Sequence, residues 1–242
     1  MELHNGDCLD VMKTFEDNSI DIVIADLPYG RFAHLDWDKE IDLERMWEQL
    51  WRICKPTTPI FLFGDFRFAN ILMNSQPKWF RYEIVWEKTS PTNFLNMRKM
   101  LGKTTEYVLV FYKKLPVYNY LKYHKREDKN DDRNKKVSTN LSTWGESVKS
   151  FGDRTWYNPK LPTNVFRGKG KRLNKLIPSL TEKPQKILEF LLKYFSNEDD
   201  VCLDITMGSG SMGVACKTLN RKFIGIELNK EYFDVAEKRL IK

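Results

Sequence analysis

Two short stretches of the chain hold residue types that could do chemistry. In "IADLPYG", residues 24–30, an apolar run ends in Asp26, Leu27, Pro28 and Tyr29. A carboxylate, a proline and an aromatic ring at the end of a strand suit a plain turn, or an active site. In "GSGSMG", residues 208–213, glycines stand at the G-x-G-x-x-G spacing. Glycines there let the backbone approach a nucleotide closely, and an acid at the end of the following strand can accept hydrogen bonds from ribose hydroxyls. Glu227 stands in that place, 19 residues after Gly208. Glycine-rich turns also serve tight packing, so the motif points to a nucleotide or nucleoside only with strand, helix and acid in place together.

The elements that must position these residues fall into three zones. In residues 1–112 the runs "IDIVIAD" (20–26), "PIFLFGD" (59–65), "YEIVWE" (82–87) and "EYVLVFY" (106–112) read as buried strands. Between them, "IDLERMWEQLWRIC" (41–54) repeats Leu43, Met46, Trp47, Leu50 and Ile53 at helical spacing. Such alternation predicts an α/β fold with helices on both faces of a mostly parallel sheet. Residues 113–178 lack sustained periodicity and include the charged run "KREDKNDDRNKK" (125–136). From 179 onward Thr181 is expected to cap a helix whose first turn holds Pro184 and whose apolar face is Ile187, Leu188, Leu191 and Phe195. A strand "DVCLDI" (200–205), the glycine turn, a helix and a strand "RKFIGIEL" (221–228) complete the chain.

A nicotinamide-dependent dehydrogenase would carry its glycine turn at the start of such a domain. Here 29 residues follow Gly213, and two strands alone make no stable sheet. The other strands are therefore expected from residues 1–112, in a permuted order that sets the strand ending at Asp26 in the same sheet as the strand ending at Asp204. Ligands of open α/β sheets gather at the carboxyl ends of the strands, which brings Asp26–Tyr29 to the nucleotide.

Charge separates the zones further. Residues 113–175 hold 17 Lys or Arg against 6 Asp or Glu, while the net charge of the whole chain is +7. A local surplus of +11 thus sits in a chain whose remainder sums to −4. With Tyr118, Tyr120, Tyr123, Trp144, Phe151, Trp156, Tyr157 and Phe166 interleaved, the block suits phosphates and unstacked bases. Lys169, Lys171 and Arg172 are the candidate phosphate contacts. Cys8, Cys54, Cys202 and Cys216 are scattered, as are His4, His34 and His124, so no metal site is expected. No apolar run reaches the roughly 20 residues of a membrane span. The start of the chain, "MELHNGDCLD", lacks a signal-peptide pattern. A cytoplasmic protein is expected.

Taken together, the motifs resemble those of the amino-methylating DNA methyltransferases. "DLPYG" resembles their Asp-Pro-Pro-Tyr motif, "LDITMGSGSMG" their S-adenosylmethionine loop, and "LTEKP" (180–184) the Thr-x-Lys-Pro segment before it. "NGDCLDVM" (5–12) is similar to their opening Gly-Asp segment, and residues 84–100 and 104–114 to segments lining their substrate cleft. The motif order resembles the circularly permuted beta class. The resemblance implies a Rossmann-like methyltransferase sheet in one domain over 1–242. On this resemblance residues 1–112 would form a catalytic half, 113–178 a basic target-recognition insertion and 179–242 a cofactor-binding half. It implies methyl transfer from S-adenosylmethionine to N6 of an adenine flipped out of double-stranded DNA. The Asp26 carboxylate and the Leu27 carbonyl would accept hydrogen bonds from the two amine protons, Pro28 would fix the turn and Tyr29 would stack on the base. On the cofactor side Asp204, Gly208, Ser209 and Gly210 would hold the methionine end, Glu227 the ribose and Asp7 the adenine edge. Thr181 and Lys183 would take the methionine carboxylate. A homodimer and a cognate restriction endonuclease stay open as partners. So do two other functions, a cytosine-N4 methyltransferase, where Ser usually replaces this Asp, and an inactive DNA-binding module. Two positions depart from the family pattern: Leu27 replaces a Pro, and Ile205–Thr206 replaces Pro-Phe.

Overall fold

The β-branched run at Ile22–Ala25 forms a strand whose four side chains are all buried, as expected of a strand covered on both faces. The computed structural model describes residues 1–30, 40–120, 162–168 and 182–241. Residues Met1–Asn119 and Asn164–Lys242 form one compact unit. Its strands are β1 (Glu2–Asn5), β2 (Ile22–Ala25), β3 (Ile60–Gly64), β4 (Phe80–Lys88), β5 (Thr105–Phe111), β6 (Val165–Gly168), β7 (Val201–Asp204) and β8 (Lys222–Glu227). Its helices are α1 (Cys8–Val11), α2 (Leu43–Ile53), α3 (Phe66–Ser75), α4 (Gln185–Phe195), α5 (Ser211–Thr218) and α6 (Lys230–Leu240).

The eight strands form one sheet in the order β1-β8-β7-β2-β3-β5-β4-β6. Neighbours are parallel except around β5, which runs antiparallel to β3 and to β4. The strand ending at Asp204 therefore lies directly beside the strand preceding Asp26, with Ile22 opposite Cys202 and Val23 opposite Leu203. Alternate side chains face opposite layers. Val23, Ala25, Ile60, Leu62 and Leu203 join Met12 and the Met46, Leu50 and Ile53 face of α2 in one core. On the other face Phe61 meets Phe195 of α4 at 5.0 Å between ring centroids. Gly213 of α5 lies where an added Cβ would strike Leu240 of α6 at 2.6 Å and Phe223 of β8 at 2.9 Å. Helices thus cover both faces.

The strands and helices read from the sequence are present. β1, α1, α3, β6 and α6 are additions, and β6 places Val165–Gly168 at the sheet edge inside the stretch expected to be an insertion. The helix after "LTEKP" begins later than expected. Pro184 is its extended N-cap residue (φ −62°, ψ 136°) rather than part of its first turn, because residue 183 before a proline is steered away from helical geometry. Thr181 itself lies outside the described residues. Lys113, the first cation of the basic block, donates to the Trp51 carbonyl at 3.0 Å and lies 4.9 Å from that indole's centroid. That charge belongs to the fold.

Arg221 ties the layers together at the end opposite the strand carboxyl ends. Only 6% exposed, it donates to the Ser196 hydroxyl (3.1 Å) and carbonyl (2.9 Å) and to the Leu219 carbonyl. A guanidinium at a helix C-terminus satisfies carbonyls that the helix leaves unpaired. Arg221→Met keeps the bulk but strands those carbonyls, so urea unfolding should show a loss of about 1–3 kcal/mol. A midpoint unchanged from the parent would mean that water satisfies them equally well.

Candidate active site

Four parallel strands end in, or are followed at once by, an acid on the same edge of the sheet. Asp26 follows β2, Asp65 follows β3, Asp204 closes β7 and Glu227 closes β8. The loop after β7 is joined to the end of β2 through one side chain: the Thr206 hydroxyl donates to the Asp26 carbonyl at 3.1 Å. The Thr206 backbone N–H donates to Asp204 Oδ1, also at 3.1 Å. The predicted catalytic and nucleotide motifs therefore share one edge and one direct bond.

Around Asp26 the charges interlock. The Lys183 ammonium donates to Asp26 Oδ2 and lies 3.1 Å from Glu106 Oε1. Glu106, on β5, pairs through its other oxygen with Lys88 of β4. The single proton of the Tyr29 hydroxyl is shared between Asp26 Oδ1 at 3.3 Å and Glu106 Oε1 at 3.5 Å. The Tyr29 ring stacks on Phe68 at 4.6 Å, so one face is already held by the fold. Leu27 is 2% exposed and its side chain belongs to the core. Burial pushes the Asp26 carboxyl above its ordinary value, and the Glu106 charge adds to this, against the opposing pull of Lys183. Burial works upward on Glu106 too, but there Lys183 and Lys88 prevail and hold it below the usual range. For Lys183 burial works downward, and Asp26 and Glu106 together outweigh it and hold the ammonium charged.

The glycine loop divides its labour. Gly208 adopts φ +52° with open space where a side chain would stand, a backbone that a ligand can approach. Gly210 adopts φ +79°, and an added Cβ would lie 3.1 Å from the Ala236 Cβ of α6, so packing accounts for it. The Gly208 N–H donates to Glu227 Oε2 at 2.9 Å, and the Asn229 N–H donates to Oε1 at 2.8 Å. Burial raises the Glu227 carboxyl despite these donors. Ser209 is clamped from behind: Arg239 donates to its carbonyl at 3.1 Å and to Glu182 at 2.6 Å. Asp7 caps α1, accepting the Leu9 N–H at 2.8 Å. The Gly6 N–H donates to the Glu227 carbonyl at 3.0 Å, which sets Asp7 at the neighbouring strand end.

Of the residues read from sequence, Asp26, Tyr29 and Lys183 come together directly, and Asp204, Gly208 and Glu227 line the same edge. Thr181, Lys169, Lys171 and Arg172 lie outside the described residues. Sequence reading missed Glu106, Lys88, the Thr206 hydroxyl and the Glu182–Arg239 clamp. Glu106 left a usable signal, a lone acid at the head of the apolar strand "EYVLVFY". Among the described residues no group of three or more His, Cys, Asp or Glu is placed to hold a metal ion, and no helix is long and apolar enough to cross a membrane.

A family model described as DNA methylase matches residues 20–238. The chain is 28% identical to the Type II methyltransferase M.HinfI of Haemophilus influenzae, over 97% of this chain and 67% of that protein. It is 27% identical to the Type II methyltransferase M.HpaI of Haemophilus parainfluenzae, over 97% and 72%. Among solved structures, the M1.HpyAVI–SAM complex superposes with a TM-score of 0.66 at 24% identity, covering 99% of both chains. The cytosine-N4-specific PvuII DNA methyltransferase superposes at 0.69 and 17% identity, over 99% of this chain and 86% of that one. At these identities the two structures speak to the fold.

Asp204 makes the electrostatics of this edge measurable. Burial, with the charges of Asp26 and Glu227 adding to it, pushes its carboxyl up from 3.8 to about 8, against the Thr206 N–H. A carboxyl raised in this way keeps its proton in the folded chain where the unfolded chain has lost it. Between 3.8 and about 8 each rise in pH therefore lowers the stability of the free protein. Asp204→Asn removes this titration, so its stability relative to the parent should climb from pH 5 to pH 8 in urea unfolding. A difference independent of pH would show that Asp204 ionises normally in the fold.

Proposed function

The chain belongs to the DNA methylase family, and on that premise we propose that it transfers a methyl group from S-adenosylmethionine to the exocyclic N6 of an adenine at a specific site in double-stranded DNA. The observation that carries this reading is the Thr206 bond to the Asp26 carbonyl. It fastens an acceptor for an amine to the loop that suits a nucleoside.

The residues present fit the cofactor. Gly208 leaves its side of the loop open. Glu227 has lone pairs to spare beyond the two backbone donors. Asp204 is a buried carboxyl that, among the described residues, pairs with no cation; the ammonium of a methionine moiety would suit it by drawing off the proton that burial makes it keep. When bound, S-adenosylmethionine supplies an electrophilic methyl on a sulfonium. Gly208, Ser209, Gly210 and Asp204 would hold its methionine end, Glu227 its ribose and Asp7 its adenine edge. Thr181 would take its carboxylate, while the Lys183 ammonium is engaged by Asp26 and Glu106.

The chain's own task is to make a poor nucleophile attack. The lone pair of an adenine amine is delocalised into the ring. The Asp26 carboxylate accepts a hydrogen bond from one amine N–H and the Leu27 carbonyl accepts one from the other, which localises that lone pair. Pro28 adds no competing donor. Tyr29, backed by Phe68, offers its ring to a base flipped from the duplex. Holding the amine in line with the methyl can supply roughly 7–11 kcal/mol of the acceleration. Residues 113–178 would carry target recognition, with Lys169, Lys171 and Arg172 on phosphates, between a catalytic half (1–112) and a cofactor half (179–242) of the beta-class order. A second copy of the chain and an endonuclease reading the same site are partners consistent with a Type II modification enzyme in a cytoplasm. Transfer to cytosine N4 is the second reading, and the fold shared with a cytosine-N4-specific enzyme favours keeping it in the test. Expression in a methylation-deficient host, followed by sequencing for modified bases, should reveal N6-methyladenine in one short motif. N4-methylcytosine in its place would overturn the adenine assignment.

Two substitutions test the roles. Asp26→Ala should abolish methyl transfer while the dissociation constant for S-adenosylmethionine stays within about threefold, since its carboxylate acts on the amine. Equal loss of transfer and cofactor binding would make Asp26 structural. Glu227→Ala should weaken cofactor binding by about 1–3 kcal/mol, the usual penalty for stranding buried donors, with DNA affinity in the absence of cofactor unchanged. Titration calorimetry showing undiminished cofactor affinity would remove Glu227 from the site.

A further inference from the structure

We propose that Glu106 is a positioning residue for the transfer: it gives Lys183 a second carboxylate to hold, so that Asp26 can let the ammonium go and take up the target amine. This rests on the methyl-transfer reading above and deepens it.

The geometry sets a problem that the chain must solve. Asp26 accepts the Tyr29 hydroxyl on Oδ1 and the Lys183 ammonium on Oδ2. An ammonium on Oδ2 draws electron density from the oxygen that must polarise the amine. For Asp26 to serve an amine, Lys183 must loosen its hold. Its side chain is only 11% exposed, so a released ammonium cannot simply turn to water, and an unpaired buried charge is strongly unfavourable. Glu106 removes the difficulty. Its Oε1 already lies 3.1 Å from the same Nζ, so the ammonium pivots without losing its counter-charge.

Two further contacts suit Glu106 to this duty. Lys88 pairs with its far oxygen, which keeps the carboxylate ionised beside a second carboxylate. The Tyr29 hydroxyl spans Asp26 Oδ1 and Glu106 Oε1 at 3.3 and 3.5 Å, so the same pivot can leave Tyr29 bonded throughout. Glu106 reaches the amine only through Lys183 and Tyr29, which makes it a positioning residue and not a catalytic one.

The full-length chain with Glu106→Gln, and separately Glu106→Asp, decides the matter. At saturating S-adenosylmethionine and DNA, Glu106→Gln should lower kcat tenfold or more while the KM for S-adenosylmethionine stays within about threefold. Glu106→Asp, which keeps the charge, should recover a substantial part of kcat. Independently of turnover, in the presence of S-adenosylhomocysteine, Glu106→Gln should weaken binding of an oligonucleotide carrying the target site and leave a random oligonucleotide unaffected. An unchanged kcat overturns the proposal. So does a loss that appears wholly in the KM for S-adenosylmethionine, or an Asp variant no better than Gln. Should Glu106→Gln fail to fold, turnover and oligonucleotide binding by the Asp variant decide the question: both must stay close to the parent, and collapse of either overturns the proposal. A parent protein that methylates no DNA at all would instead overturn the function on which the proposal rests.

Discussion

The parallel pairing of β2 with β7 is the constraint on which the remaining geometry depends. Val23 faces Leu203 and Ile22 faces Cys202 across that seam, and the side-chain period of two fixes everything beyond it. A slip of one residue would exchange the faces of Cys202, Leu203 and Asp204, pushing a carboxylate into the core where Leu203 now packs. The hydrophobic pattern therefore locks the register, and the register sets the ends of the two strands level. Only then can the Thr206 hydroxyl reach the Asp26 carbonyl, and only then does the glycine turn stand beside the tetrapeptide from the other end of the chain.

Strand ends set level also gather charge. Asp26, Asp65, Asp204 and Glu227 lie along one edge, with Glu106 beside them on β5. Cations answer some of these acids: Lys183 and Lys88 at Asp26 and Glu106, and Lys103 at Asp65, 3.0 Å away. Among the described residues none answers Asp204. An edge short of positive charge is a poor seat for a phosphate backbone and a good one for a small cation. This agrees with a division in which a cationic methyl donor sits on the strand ends while polyanionic DNA is met by the basic middle of the chain. Under the proposed function, electrostatics would separate the two substrates before any specific contact is made.

Much of this was legible in the sequence, for physical reasons that particular residues show. Ile22–Ala25 and Ile60–Gly64 read as strands because apolar runs bounded by polar turns have few other uses. The placement of Asp26, Gly208 and Glu227 on one edge was legible because each stands at the end of a readable strand or in the turn after one. Glu106 was not, because its meaning depends on β5 lying antiparallel between β3 and β4, a pairing that no local pattern encodes. Lys183 was noticed for another duty, since a sequence shows one partner at a time and this ammonium serves two carboxylates. α3 escaped because its apolar face, Phe68, Ala69 and Leu72, is short. The helix after "LTEKP" starts later than its sequence suggests because Pro184 takes the cap position.

The two departures from the family pattern are explained by the same geometry. At Leu27 the side chain turns inward and is almost wholly buried, so it contributes to the core, and the backbone carbonyl is the part left for an amine. A proline there would fill less of that core and would fix φ; leucine gains burial and leaves φ free. At Thr206 the change from an apolar ring to a hydroxyl adds a donor within reach of the carbonyl at the end of β2. The bond it makes, at 3.1 Å, restrains the residue before Leu27, which is where a leucine's greater freedom would otherwise loosen the turn. The seam between the two motifs is thus held by a direct bond, and under the proposed function that bond would keep the neighbouring Leu27 carbonyl aimed at an amine.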